Sequence, residues 1–375
     1  MNNQIKITEF EDADESSERE SKETFDPRDI DISVEQQNID FLIGKLENEE
    51  IDLNTEFQRS TDLWKDDKMS RLIESLMVRF PIQGFYFDIT DKKKWQVVDG
   101  LQRLSALKKF VIDNELELQK LDFLKEIEGK KFNDLLSDEM YKHLIRTMKG
   151  TQIVLYLIRP GTPKPVKYRL YERINTGGLK LNSQEIRHAL NQGKAANYVE
   201  ELAKQSIFKE AVSISSVRML DRELVLRYVA FRETPYNQYK PLLTEFLDSA
   251  MEKIASIEEQ RKEKLKQDFI KSITTAKEIF GEKAFRNTSK QNARFNRALF
   301  ETWTVNLSQL TDEERTLLVL NKSLVTKQFK SLLDKNQVFC DSISTGTSQF
   351  QAVISRFTEI EQLIKNVLGN PNIIK

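Results

Sequence analysis

The chain has 375 residues, with 58 Lys and Arg against 59 Asp and Glu, two histidines and one cysteine. That length allows two domains and a sizeable core, and a lone cysteine, Cys340, excludes an internal disulfide framework. No apolar run approaches the roughly 20 residues that span a bilayer and the amino terminus is acidic rather than signal-like, so the expectation is a cytoplasmic protein without a membrane partner.

The near-neutral charge is unevenly placed. Residues 1–31 hold eleven acidic and four basic side chains, which reads as a disordered acidic leader. The remaining 54 basic and 48 acidic residues make the body mildly basic, enough for a local nucleic-acid patch.

Ser33-Val34-Glu35-Gln36 has capping-box spacing, and Ile39, Leu42, Ile43 and Leu46 behind it predict a helix. Ile51 to Asn54 alternates as a short strand. Met69, Leu72, Ile73, Leu76, Met77 and Phe80 form a second helical stripe, which Pro81 ends. Phe85, Phe87 and Ile89 alternate with Tyr86, Asp88 and Thr90, and a turn at residues 91–94 returns the chain into Trp95-Gln96-Val97-Val98, predicting a hairpin.

The second strand breaks at Asp99-Gly100 and restarts as a helix carrying Leu101, Leu104, Leu107, Phe110 and Val111. At such a hinge the first helical N–H groups suit an anion. A plain alternative is a reciprocal capping box, with Asp99 as N-cap and Gln102 as N3. Arg103 stands outside that account, because a cation in the first turn opposes the macrodipole and needs a carboxylate, an anion or solvent.

Further on, Ile153 to Ile158 is an apolar run expected to be a central strand. A helix from about Val166 to Ile174 stops at Asn175-Thr176-Gly177-Gly178, most economically a helix cap and turn, and another begins near Asn182 carrying Arg187 and His188. Glycine is scarce after Gly193, and helical periodicity takes over. The predicted architecture is α+β: the leader over 1–31, an α/β domain over 32–200 and a helical bundle over 201–375. Within the last, Lys283, Arg286, Lys290, Arg294 and Arg297 interleave with Phe285, Phe295 and Phe300. Arg294 and Arg297 are the candidate DNA contacts; the plain alternative is a helix with a buried Phe face.

Taken in order, Phe57-Gln58-Arg59, Trp64, Leu72-Ile73-Glu74-Ser75, Phe80-Pro81-Ile82, Val98-Asp99-Gly100-Leu101-Gln102-Arg103-Leu104 and Arg173-Ile174-Asn175-Thr176-Gly177-Gly178 resemble the N-terminal domain family of GmrSD-type, modification-dependent restriction systems. The resemblance runs from about Asn54 to Leu190. It implies a ParB/sulfiredoxin-like, nucleotide-binding fold whose D-G-Q-Q-R motif binds and hydrolyses NTP. Here the motif reads Asp99-Gly100-Leu101-Gln102-Arg103, with Leu101 where the family has Gln.

On that resemblance, Gln58, Arg59, Asp99, Gly100, Gln102, Arg103 and Arg173 are the nucleotide-binding candidates, and Asp99, Gln102 and Arg103 the catalytic ones. Arg103, Arg59 and Arg173 would supply positive charge, since guanidinium groups bind phosphate bidentately. Asp99 would orient the ligand or act through a metal such as Mg2+, and Gln102 would position water. Glu74 either orients an arginine or is a solvated helix residue. Trp64 reads as a core anchor.

Fused members of the family often carry an HNH nuclease, which needs several histidines. His143 and His188 lie in no such motif, so a separate nuclease subunit is the expected partner. The expected function is an NTP-binding, NTP-hydrolysing component of a restriction or antiphage system that senses DNA, modified or foreign. The alternative is a non-enzymatic DNA- or protein-binding adaptor with a degenerate nucleotide site.

Overall fold

The computed structural model describes residues 26–53, 64–91, 93–174, 182–212, 217–290 and 293–369. Contacts divide the chain between Leu190 and Asn191.

In the first unit, β1 (Ile32–Asn38) runs into α1 (Ile39–Glu47), followed by β2 (Ile51–Asp52) and α2 (Asp66–Met77). The hairpin β3 (Phe85–Asp88) and β4 (Trp95–Asp99) leads into α3 (Leu101–Leu107), which widens into a π-helical turn over Lys108–Ile112. Then come α4 (Phe132–Ser137), α5 (Lys142–Gly150), β5 (Gln152–Ile158), α6 (Lys164–Ile174) and α7 (Ser183–Leu190). The strands form one sheet in the order β1-β5-β3-β4-β2. β5 is interior, antiparallel to β1 and parallel to β3, so the apolar run Ile153 to Ile158 lies between two neighbours, as its composition requires.

The helix expected to open at Ser33 starts later. Ser33 lies in β1 opposite Leu157, and the N-cap of α1 is Asn38, whose side chain accepts from Phe41 N at 2.9 Å. A local capping signal lost to a seven-residue ladder with β5, which satisfies more backbone groups than one cap does.

Phe85, Phe87, Val97, Ile153, Leu155 and Leu157 line one sheet face and pack on the stripes of α1, α2 and α3. On α2, Glu74 is 2% exposed, and its carboxylate accepts from the backbone N–H groups of Asp122, Phe123 and Leu124 at 2.9, 2.7 and 2.7 Å. It neither orients an arginine nor meets solvent; it anchors the turn that follows Leu121. The three donors hold its carboxyl below the ordinary value, against burial, which acts to raise it. Trp64 packs against this core.

The second unit is helical among the described residues, apart from an isolated bridge between Arg286 and Phe295. It comprises α8 (Lys194–Ala203), α9 (Ser206–Ala211), α10 (Leu220–Glu233), α11 (Leu243–Ser256), α12 (Glu259–Phe280), α13 (Arg297–Ser308), α14 (Asp312–Leu320), α15 (Lys322–Lys335), α16 (Gln337–Ser342) and α17 (Phe350–Leu368). Its core buries Tyr228, Phe231, Phe269, Trp303 and Phe357. Glu301 of α13 is fully buried between Arg227 of α10, at 3.1 Å, and Arg356 of α17. No helix among the described residues is long and apolar enough to cross a membrane.

Candidate functional site

The hairpin carries the irregularity that builds the site. Tyr86 pairs with Asp99, but Phe87 pairs with Val97, so Val98 is an extra residue on β4. Paired residues on neighbouring strands share a face, and strict alternation from Val97 would aim Asp99 into the core. The bulge moves it onto the opposite face, beside Tyr86. Without it, a carboxylate would sit among Phe85, Phe87 and Val97, at a cost of several kcal/mol.

Gly100 follows with φ +107°, and a Cβ there would overlap the Phe85 ring, so both backbone and space require glycine. Gly100, not Asp99, is the N-cap of α3, and no side chain caps it. The reciprocal capping box therefore does not form. Gln102 Oε1 instead accepts from Trp64 N at 3.0 Å, which ties the chain entering α2 to the motif helix. Leu101 is buried in the core of the first unit, so an amide at that position would lose its water.

Arg103 is 8% exposed. Its guanidinium donates to the carbonyls of Gln83 and of Gly84, the latter at 3.1 Å, and to Asp99 Oδ2 at 2.8 Å. It also lies 4.3 Å from the centroid of the Phe85 ring. The macrodipole penalty is thus offset from within, by a carboxylate one turn back and two carbonyls. Burial pushes the Asp99 carboxyl up, although Arg103 and the Gly100 N–H pull the other way. Burial likewise lowers the Arg103 value against the pull of Asp99. For both groups, leaving water outweighs the pairing.

Asp99 keeps a side chain 31% exposed, and the face it joins is aromatic and polar. Tyr86 and Tyr156, at paired positions on β3 and β5, stack with centroids 4.4 Å apart. Asp88 is on the same face but covered: Lys167 of α6 reaches its Oδ2 at 2.7 Å and also bonds Thr90 Oγ1. Neither the tyrosine pair nor the Lys167–Asp88 pair was expected from the sequence. The signal for the first was there: Tyr86 and Tyr156 are the polar-tipped aromatics at outward positions of two predicted strands.

Of the other candidates, Gln58 and Arg59, and the stretch Asn175 to Gly178, lie outside the described residues. Arg173 ends α6 and is exposed. On α7, Asn182 and Glu185 form the reciprocal cap, at 2.8 and 2.7 Å. Arg187 and His188 are buried there, with Arg187 donating to Gln184 Oε1 at 2.6 Å. Among the described residues no three His, Cys, Asp or Glu side chains gather as metal ligands.

In the second unit, Phe285, Phe295 and Phe300 pack on one another. Arg294 is exposed. Arg297 turns inward, its side chain 9% exposed and 3.6 Å from Glu223, so of the two expected DNA contacts only Arg294 faces solvent. Arg286 is held by the carbonyls of Glu282 and Ala293.

Compared with known proteins, residues 42–191 match the family model described as GmrSD restriction endonuclease, N-terminal domain. No curated protein and no solved structure matches the chain.

Proposed function

The chain carries, over residues 42–191, a member of the GmrSD restriction endonuclease N-terminal domain family, and on that premise we propose that it is the nucleotide-binding, DNA-sensing component of a modification-dependent restriction system, acting with a separate nuclease. The ParB/sulfiredoxin likeness of the first unit is part of this proposal. The observation that carries it is the bulge at Val98, which turns the motif carboxylate Asp99 from the core to the half-open face beside Tyr86. Evolving an irregular strand end to expose one acid is expensive unless the acid meets a ligand.

The motif residues divide by role. Asp99 faces the ligand side. Gly100, Gln102 and Arg103 position it, through a tight turn, the tie to Trp64 and the clamp on Gln83 and Gly84. Positive charge for the phosphates is then left to Arg59 and Arg173. Mg2+ would arrive on the nucleotide's own phosphates, with Asp99 the motif group able to add a ligand.

A second reading, a non-enzymatic adaptor, is favoured by one observation: the guanidinium of Arg103 is already engaged by three acceptors. Equilibrium binding and turnover of NTP, with and without DNA, separate the two. The proposal expects wild type to bind NTP and Asp99→Ala to bind it about tenfold or more weakly, the loss of one charged contact. Binding without turnover selects the adaptor; a folded wild type that binds no NTP under either condition overturns the proposal.

A further inference from the structure

Tyr86 and Tyr156 are within 9° of parallel. Their centroid separation of 4.4 Å is close to the roughly 4.8 Å between neighbouring strands. The ring normals therefore run from strand to strand, and both rings stand up from the sheet. The outer face of Tyr86 looks toward β4, where its paired residue is Asp99. A short side chain beside a tall ring leaves a slot above the carboxylate, with Tyr86 as its wall.

Three further observations fit this slot to a ligand. Helix α6 roofs the sheet face at Asp88, through Lys167, but the Tyr86 end stays partly open, and Val34, next in the row beyond Tyr156, is 61% exposed. Neither tyrosine hydroxyl has a hydrogen-bond partner among the described residues, although half-buried tyrosines usually find one. Gly84 fixes the second ring: a Cβ there would lie 2.8 Å from Tyr156 Cε2 and 2.9 Å from Val154 O.

Resting on the nucleotide reading above, we propose that this slot seats the base: Tyr86, backed by Tyr156, stacks on the ring, and Asp99 accepts an N–H from its edge. An ionised carboxylate only accepts, and it has lone pairs beyond the one that Arg103 uses. Guanine N1 and uracil N3 carry a hydrogen, whereas adenine N1 and cytosine N3 present a lone pair that a carboxylate repels. The slot selects keto bases.

The test is calorimetric titration of the full chain with GTP, UTP, ATP and CTP. Wild type binds GTP and UTP about tenfold or more tightly than ATP and CTP, a difference of the size one charged hydrogen bond makes. Asp99→Asn, whose amide still offers Arg103 an oxygen, removes that ratio. Tyr86→Leu weakens all four by about tenfold or more, within the range that base stacking is worth, and Tyr86→Phe, which keeps the ring, weakens them less. Circular dichroism and the urea midpoint report that the variants fold. Equal affinity of wild type for the four nucleotides, or Tyr86→Leu binding like wild type, overturns the base slot while the nucleotide reading stands. A wild type that binds none of the four removes both.

Discussion

Arg103 holds Asp99 at 2.8 Å from one turn along α3, and the same guanidinium binds the carbonyls of Gln83 and Gly84 that lead into β3. A motif arginine, which spacing alone assigns to phosphate, thus ties the two ends of a hairpin together.

Removing it leaves a largely buried carboxylate unpaired and two carbonyls without their donor. Arg103→Ala is expected to lower the free energy of unfolding by about 3 kcal/mol. Arg103→Lys costs less, since one ammonium still reaches Asp99 but cannot span a fork of three acceptors. Urea unfolding measures both, and a midpoint unchanged in Arg103→Ala would mean that the clamp does not stabilise the fold. The same result warns against reading lost nucleotide binding in Arg103→Ala as loss of a phosphate contact.

Glu74 supplies a pH signature. The N–H groups of Asp122, Leu124 and Phe123 outweigh burial and keep its folded value below the ordinary one, so the folded state binds fewer protons than the unfolded state as the pH falls. The stabilisation is complete above the ordinary carboxylate value and is lost as the pH drops through the depressed folded one, between about pH 5 and pH 3. Glu74→Gln should cost about 2 kcal/mol at neutral pH, because an amide is a weaker acceptor for three donors. It should also flatten this part of the stability profile relative to wild type, as read from urea midpoints across the acid range.

Two glycines make opposite predictions. At Gly100, with φ +107° and the Phe85 ring where a Cβ would be, Gly100→Ala is expected to destabilise by about 2 kcal/mol or more. At Gly44, inside α1 with open space around it, Gly44→Ala should stabilise by about 0.5–1 kcal/mol, since helix formation then orders a less flexible residue. Thermal midpoints of the two variants should move in opposite directions from wild type.

What was legible in the chain follows the physics of each element. The α2 stripe, the hairpin and β5 are local periodicities, and the structure has them close to where spacing puts them. The start of α1 was not, because Ser33 is decided by its ladder to β5, a partner far along the chain. Nor was the bulge: Val97-Val98 reads as two buried residues of a continuous strand, and only the pairing with Tyr86 and Phe87 shows which is extra. The motif's position was plain, but the partners of Arg103 and Gln102 come from Gln83, Gly84 and Trp64, which no spacing rule connects to it.

The last prediction separates two arginines that look alike in sequence. Arg294 is exposed, whereas Arg297 faces Glu223 at 3.6 Å in the helical unit. If this surface contacts DNA, Arg294→Ala should weaken binding at low salt with little change in unfolding midpoint, and reduce the slope of log affinity against log salt by about one phosphate contact. Arg297→Ala should act on stability instead, by about 1–3 kcal/mol, because Glu223 loses a partly buried cation while keeping Arg227 at 2.9 Å. Fluorescence anisotropy with a duplex across a salt series, alongside urea unfolding of both variants, resolves the assignment. An unchanged salt slope in Arg294→Ala would remove this surface from the DNA interface, and DNA recognition would then have to be sought elsewhere on the chain.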